Sequence, residues 1–304
     1  MNISISSTLI DFEAYKLVTG IIDAATLGEL PGVHVSAVIS TREVGDDARR
    51  MTDLLLTRLM NNYSDVPLIM YSAKQHGRIK KNPTDADKNE YDTAILKQIR
   101  EKSDLNIMAG DMVIKGSEWC NTLPSLNLHP DLPLSMGGRE GVYWNVIGTW
   151  VREKRKEIGG MMHLAIPTLD AGTPIAYFRL PAKGIINGIN LSRLWDTLPT
   201  DHDELEKLIQ EQTSLKDKPT HPLFTELRQA EAAFEPELVI RTIGAFAEGR
   251  LSVVEGKIIG TNSIALENGL DLTEEIVGDH AIWPGNEGTG IHSIETRSPR
   301  REML

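Results

Sequence analysis

Over its first seventy residues the chain alternates short apolar runs with stretches of helical periodicity, and that alternation leaves few folds open. Asn2 to Ile5 alternates as a first strand, and Asp11 to Ala25 carries apolar residues at Phe12, Tyr15, Leu17, Val18, Ile21 and Ile22, a helical spacing. Val33 to Ile39 reads as a buried strand, Asp46 to Met60 as a helix and Val66 to Tyr71 as another strand. Strand and helix in alternation make a mainly parallel sheet with helices on both faces, because parallel neighbours need a crossover. The expected fold class is therefore α/β, a doubly wound, mostly parallel sheet.

The rest of the chain continues the pattern. Gln75 to Lys88 is polar and broken by Asn82-Pro83, so it reads as a loop, and Glu90 to Ile99 as a helix. Strands are expected at Asp104–Ala109, Met161–Ile166 (entered by a turn at Gly159-Gly160) and Ile175–Leu180. Helices are expected at Ser117–Leu123, Glu140–Trp150 and Pro222–Val239, followed by a turn and a last strand to Val254. We expect one domain over residues 1–255, an enlarged connection at 185–221, and an irregular C-terminal extension over 256–304.

Composition limits the function classes. A net charge of −11 over 304 residues argues against nucleic acid as the main partner. Cys120 is the single cysteine, so no internal disulfide can form. No apolar run of membrane-spanning length is present and the N-terminus lacks a signal-peptide pattern. The expectation is a cytoplasmic protein with a small-molecule substrate and no membrane partner; a homodimer is left open.

The chemistry concentrates between Leu105 and Ile175. Asn127-Leu-His129-Pro130 places an amide and an imidazole two residues apart, on one side of a strand that Pro130 ends. In open α/β sheets, strand ends are where ligands bind. Asp170 lies in a loop closed by Gly172 and Pro174, within plausible reach of His129. An Asn donates to a carbonyl oxygen, a His stabilises or protonates an oxyanion, and an Asp orients the His and raises its pKa. The trio suits acyl-type transfer from an amide to an amine. No activated nucleophile is evident, which favours direct transfer over a covalent intermediate. An Asn-x-His at a strand end is also compatible with a purely structural role.

Three segments together resemble the folate-dependent formyltransferase family: Ala109, Gly110 and Met112; Asn127, His129, Pro130, Leu132 and Pro133; and His163, Asp170, Gly172, Pro174 and Ile175. One leucine is missing before Pro133, and Thr173 is inserted before Pro174. The resemblance covers about residues 1–255. It implies a Rossmann-like fold and formyl transfer from 10-formyltetrahydrofolate to a primary amine, with Asn127, His129 and Asp170 catalytic. It also implies folate contacts from Met112, Val113, Ile114, Lys115, Asn127, Thr168 and Asp170, with the backbone of the 112–115 segment gripping the pterin. Lys88, in Lys88-x-x-Tyr91-Asp92, stands where the family places an Arg toward the folate tail. No metal is expected, since the histidines are scattered along the chain.

The implied default acceptor is glycinamide ribonucleotide, in purine biosynthesis. Arg228 and Glu231, before Pro236, resemble a family helix that holds ribose and phosphate, and His163 matches a histidine near the formyl site. An i,i+3 pair is equally an ordinary helix-surface pair. The family's Gly-rich phosphate loop is absent: Ser6-Ser-Thr-Leu-Ile-Asp-Phe-Glu13 stands there, with Ser7 and Thr8 as donors or helix caps and with Asp11 and Glu13 repelling an anion. A sugar-nucleotide amine, water as acceptor, and a non-catalytic folate-binding protein remain the alternatives.

Overall fold

The computed structural model describes residues 1–46, 49–78, 83–99, 103–133, 143–214 and 219–284. The first half is β1 (Asn2–Ser7), α1 (Phe12–Thr26), β2 (His34–Ser40), α2 (Arg50–Asn62), β3 (Leu68–Met70), α3 (Asp85–Leu96), β4 (Leu105–Met108), α4 (Ser117–Thr122) and β5 (Ser125–His129). Next come α5 (Tyr143–Arg152), β6 (Glu157–Leu164), β7 (Pro174–Pro181), β8 (Ile185–Ile186), β9 (Ile189–Asn190) and α6 (Leu191–Trp195). The chain continues through α7 (His202–Ser214), α8 (Pro222–Ala232), α9 (Glu235–Ala247), β10 (Leu251–Val254), β11 (Lys257–Gly260), β12 (Leu270–Asp271), α10 (Thr273–Ile276) and β13 (Ala281–Ile282).

Eight strands form the main sheet in the order β12-β7-β6-β5-β4-β1-β2-β3. Pairings from β5 to β3 are parallel, whereas β5–β6 and β6–β7 are antiparallel. The order reverses between β1 and β4, the switch point of a doubly wound sheet. Both faces are covered. Along β2, Val38 joins a core with α1, α2, α5, α8 and α9, while Ala37 and Ile39 join a second core with Tyr91 and Ile95 of α3 and Trp119 of α4. Neighbouring residues of a strand face opposite ways, which is why these strands read as continuous apolar runs.

Several elements differ from the sequence expectation. The polar stretch from Gln75 does not stay a loop to Lys88: Thr84 and Asp87 form a reciprocal capping box that starts α3 at Asp85. Gly159 and Gly160 lie inside β6 rather than in a turn. A Cβ on Gly159 would come within 2.0 Å of the Phe178 carbonyl oxygen, so glycine there permits close strand packing. The helical stretch from Pro222 is two helices. Phe234 caps α9, and Pro236 occupies its first turn, where a missing N–H costs no hydrogen bond. Residues 47–48 and 140–142, in two of the expected helices, and the tail from 285 lie outside the described residues.

The boundary expected after residue 255 falls in the β10–β11 turn, where Glu255 and Gly256 both take positive φ. Beyond it β12 pairs parallel with β7, and β13 pairs with β8. No helix among the described residues is long and apolar enough to cross a membrane.

Candidate active site

β5 is held in place by polar groups from its neighbours. Ser125 Oγ accepts from Trp119 Nε1 at 2.7 Å and from Asn106 Nδ2 at 3.3 Å, and Asn106 Nδ2 also donates to Ser6 Oγ at 3.1 Å. This buried network links β1, β4 and β5 and fixes the face on which Ser125, Asn127 and His129 project. β6 then returns antiparallel, so Asn127 stands opposite His163 and His129 opposite Met161. Side chains of opposed residues share a face, and the Asn127 amide nitrogen lies 3.1 Å from His163 Nε2.

The β6–β7 loop supplies the carboxylate. Its ends are tied by Leu164 N–H to the Thr173 carbonyl at 2.8 Å and by Ala165 N–H to the Ser125 carbonyl at 2.7 Å. Gly172 is compressed against β6: a Cβ would fall 1.6 Å from the Leu164 carbonyl oxygen. Asp170 takes φ +48°, a left-handed conformation that Asp tolerates better than most residues. Its Oδ2 is 3.7 Å from His129 Nδ1, and its Oδ1 is 3.6 Å from His163 Nε2. The two imidazoles meet edge to face, 6.0 Å between centroids. Asn127, His129 and Asp170 are thus brought together, with His163 as a fourth member. The histidines are scattered in sequence only. In space His129, His163 and Asp170 place one ligand atom each within 4.8 Å of one another, which corrects the expectation that no ligand-spaced cluster exists.

Burial sets the protonation. The His129 pKa is lowered, chiefly by burial and further by His163, against the raising effect of Asp170. Asp170 was expected to raise it overall; desolvation outweighs the carboxylate here. Asp170 itself sits below the usual carboxylate range: burial pushes upward, but the neighbouring His163 and His129 imidazoles prevail. His163 Nδ1 lies 3.2 Å from the Leu164 carbonyl oxygen. An Nδ1–H donated there leaves Nε2 to accept from Asn127, whose second amide N–H stays available. Distances of 3.6–3.7 Å exceed a hydrogen bond, so the imidazoles and carboxylate do not saturate one another.

The expected folate contacts divide. Lys88 Nζ reaches the Pro167 carbonyl at 3.2 Å, and so lies against the loop carrying the exposed Thr168 and the half-buried Asp170. The 112–115 segment is different. Met112 N–H already donates to Thr8 Oγ1 at 2.8 Å and Val113 N–H to Asp111 Oδ1 at 3.0 Å, while the Ile114 carbonyl accepts from Arg78. Lys115 is buried in a 2.8 Å ion pair with Asp111 and stacks its ammonium over Trp119. Those two N–H groups and that carbonyl have partners within the chain, and of the four residues Met112 alone is strongly exposed, at 75%.

Of the expected acceptor residues only His163 joins the trio. Gly160 faces Glu231, and Gly160 and His163 project from opposite sides of β6, so Arg228 and Glu231 lie across the sheet. Glu231 is fully buried, and Arg228 pairs with it and with Glu235, the latter at 2.7 Å. Ser7 is buried with its Oγ accepting Leu9 N–H at 3.1 Å, and Thr8 Oγ1 is taken by Met112. The α1 cap is neither of them: Asp11 accepts Ala14 N–H at 2.9 Å, so a carboxylate of the chain occupies the anion position of that helix. A separate cleft of about 420 Å³, lined by Glu157, Arg179, Asp271, Thr273, Glu274 and Trp283, opens at the opposite end of β6.

Sequence reasoning missed the Asn127–His163 contact, which follows only from the antiparallel register of β5 and β6. It also missed Asp11 as the cap, although Asp before a helical pattern is a legible signal.

This architecture is that of the formyltransferase fold. Among solved structures, the chain is similar to a phosphoribosylglycinamide formyltransferase from Coxiella burnetii, at 19% identity and TM-score 0.56, over 89% of this chain and 98% of that one. It is similar to a glycinamide ribonucleotide transformylase from Symbiobacterium toebii, at 19% identity and TM-score 0.54, over 85% and 92%. It is also similar to a formyltetrahydrofolate deformylase from Pseudomonas putida, at 18% identity and TM-score 0.51, over 85% and 68%. No family model and no curated protein sequence matches the chain.

Proposed function

We propose that this protein moves the formyl group of 10-formyltetrahydrofolate to a primary amine at the Asn127, His129, Asp170 site. The observation that carries the reading is the convergence of an amide donor, an imidazole and a carboxylate at the C-terminal end of β5, on a fold shared with formyl-transferring and formyl-hydrolysing enzymes. The amine nitrogen attacks the formyl carbon, forming a C–N bond. The oxyanion is met by the free Asn127 N–H and by the proton that His129 carries. Asp170 stabilises the charged imidazole and gives a water a place to relay the amine's proton toward N10. The C–N10 bond then breaks, giving a formamide and tetrahydrofolate. Lys88 and the Thr168–Asp170 loop are the groups placed to hold the co-substrate.

The acceptor amine implied by the sequence resemblance is glycinamide ribonucleotide. A second reading, water as acceptor, is favoured by two observations: Asp11 fills the anion position at the start of α1, and Arg228 and Glu231 are closed on each other. Tetrahydrofolate release from 10-formyltetrahydrofolate, followed spectroscopically with and without glycinamide ribonucleotide, decides between them. Release that requires the ribonucleotide supports transfer to it, and release in buffer alone supports hydrolysis. No release under either condition, in folded protein, counts against formyl chemistry with these acceptors.

A further inference from the structure

The His129, His163 and Asp170 cluster has a property that amide–imidazole–carboxylate catalysis does not require. Two imidazoles and one carboxylate converge on a single point, with their ligand atoms within 4.8 Å of one another. Asp170 divides its oxygens between the rings, Oδ2 toward His129 Nδ1 at 3.7 Å and Oδ1 toward His163 Nε2 at 3.6 Å. Atoms bound at about 2.0–2.1 Å around a tetrahedral zinc stand about 3.3 Å apart. The two imidazole–carboxylate spacings are a few tenths of an ångström wider, and the whole set lies within 4.8 Å, so an ion draws the three side chains together by χ rotations.

The surroundings resemble those of a built site. A metal-bound imidazole characteristically donates its other ring N–H to a carbonyl or carboxylate, which fixes the tautomer and aims the lone pair. His163 does this through Nδ1 to the Leu164 carbonyl at 3.2 Å, leaving Nε2 facing the cluster. The ring is nearly fully buried, so its orientation is set. The carboxylate is set by its loop: Gly172 allows the close approach to Leu164, and the left-handed backbone at Asp170 turns the side chain inward. The group bound to Nε2 in this structure is the Asn127 amide, at 3.1 Å, a neutral donor that an incoming cation displaces.

We propose that His129 Nδ1, His163 Nε2 and one Asp170 oxygen form a binding site for a single divalent transition-metal ion, of the two-histidine, one-carboxylate type that leaves positions open for water or substrate. The site takes ions that accept imidazole nitrogen, such as zinc or cobalt(II), in preference to magnesium or calcium. Occupation withdraws both the His129 nitrogen nearest Asp170 and the Asn127 partner from the roles described above, so the metal-bound and metal-free sites are alternative states of the same residues.

The test needs neither folate nor amine, so its outcome is independent of the formyl-transfer reading. Zinc chloride is titrated calorimetrically into the purified chain after chelator treatment, in parallel with His163→Ala, Asp170→Asn and Asn127→Ala; circular dichroism checks that each is folded. The expected result is one equivalent bound at micromolar affinity or tighter, weakened at least tenfold by His163→Ala and by Asp170→Asn. Asn127→Ala should bind as well as wild type or better, because it removes the competing donor. Cobalt(II) should give a visible d–d absorption in wild type that Asp170→Asn loses. The proposal is overturned if wild type shows no one-site binding, or if Asp170→Asn, which preserves the shape of the loop, binds as tightly as wild type.

Discussion

Two ionic clusters lie on opposite faces of β6, and they differ in whether they close. Behind Gly160, Arg228 is held by two carboxylates, Glu231 and Glu235, with Glu231 fully buried. Arg228 is raised further above its ordinary value by the two carboxylates despite its burial, whereas burial, with Glu235 beside it, pushes Glu231 up. On the other face, His129, His163 and Asp170 approach without reaching hydrogen-bond distance. A closed cluster is spent on the scaffold. One that stops short of closing keeps donors and lone pairs for something else. The same contrast separates the 112–115 segment, whose N–H groups at Met112 and Val113 are used internally, from the Lys88 and Thr168 side of the site.

The contrast breaks most visibly in rates. If the open cluster does the chemistry, His129→Ala lowers turnover about 10²- to 10⁴-fold with little change in urea midpoint, read from tetrahydrofolate release and denaturation on the same preparation. The closed cluster should behave the opposite way. Arg228→Ala strands Glu231 among apolar neighbours and should cost about 3–5 kcal/mol of stability, measured by urea unfolding. The double variant Arg228→Met, Glu231→Met should recover part of that loss, since the fully buried Glu231 carboxylate goes with its partner and only the partly exposed Glu235 is left unpaired. A smaller effect belongs to Asp11: Asp11→Ala removes the α1 cap and should cost about 1 kcal/mol.

The smallest effect is a pH slope. The folded-state pKa of His129 is below its ordinary 6.5, so just below that pH the unfolded chain binds the proton first. Stability from this residue is fully present above about pH 6.5 and declines as the pH falls below it. Urea midpoints at pH 7.5 and 5.5 should therefore differ less in His129→Gln than in wild type. His221, which burial also lowers, is common to both proteins and cancels. Asp170 titrates below this window, being lowered from 3.8.

The parts legible in the sequence were those written locally. The alternation of apolar runs gave β1 to β4 and the parallel sheet, and the two-residue spacing of Asn127 and His129 put both on one face of β5. Asp170 was placed near them by family resemblance. What the sequence left hidden depends on long-range register. Whether His163 reaches Asn127 depends on β6 returning antiparallel. Whether Arg228 faces a substrate or a buried glutamate depends on which side of β6 α8 packs. The segment at Met112 illustrates a further limit: a backbone that resembles a ligand grip in sequence has its N–H groups taken by Thr8 and Asp111, and such partners emerge only when loops meet in space.

The most direct measurement compares kcat for tetrahydrofolate release in wild type, His129→Ala and the double variant Arg228→Met, Glu231→Met, with urea midpoints taken in parallel. The expected result is that His129→Ala loses turnover and stays folded, while the double variant keeps turnover within a few-fold of wild type. Turnover that survives in His129→Ala, or that disappears in a folded double variant, would contradict it.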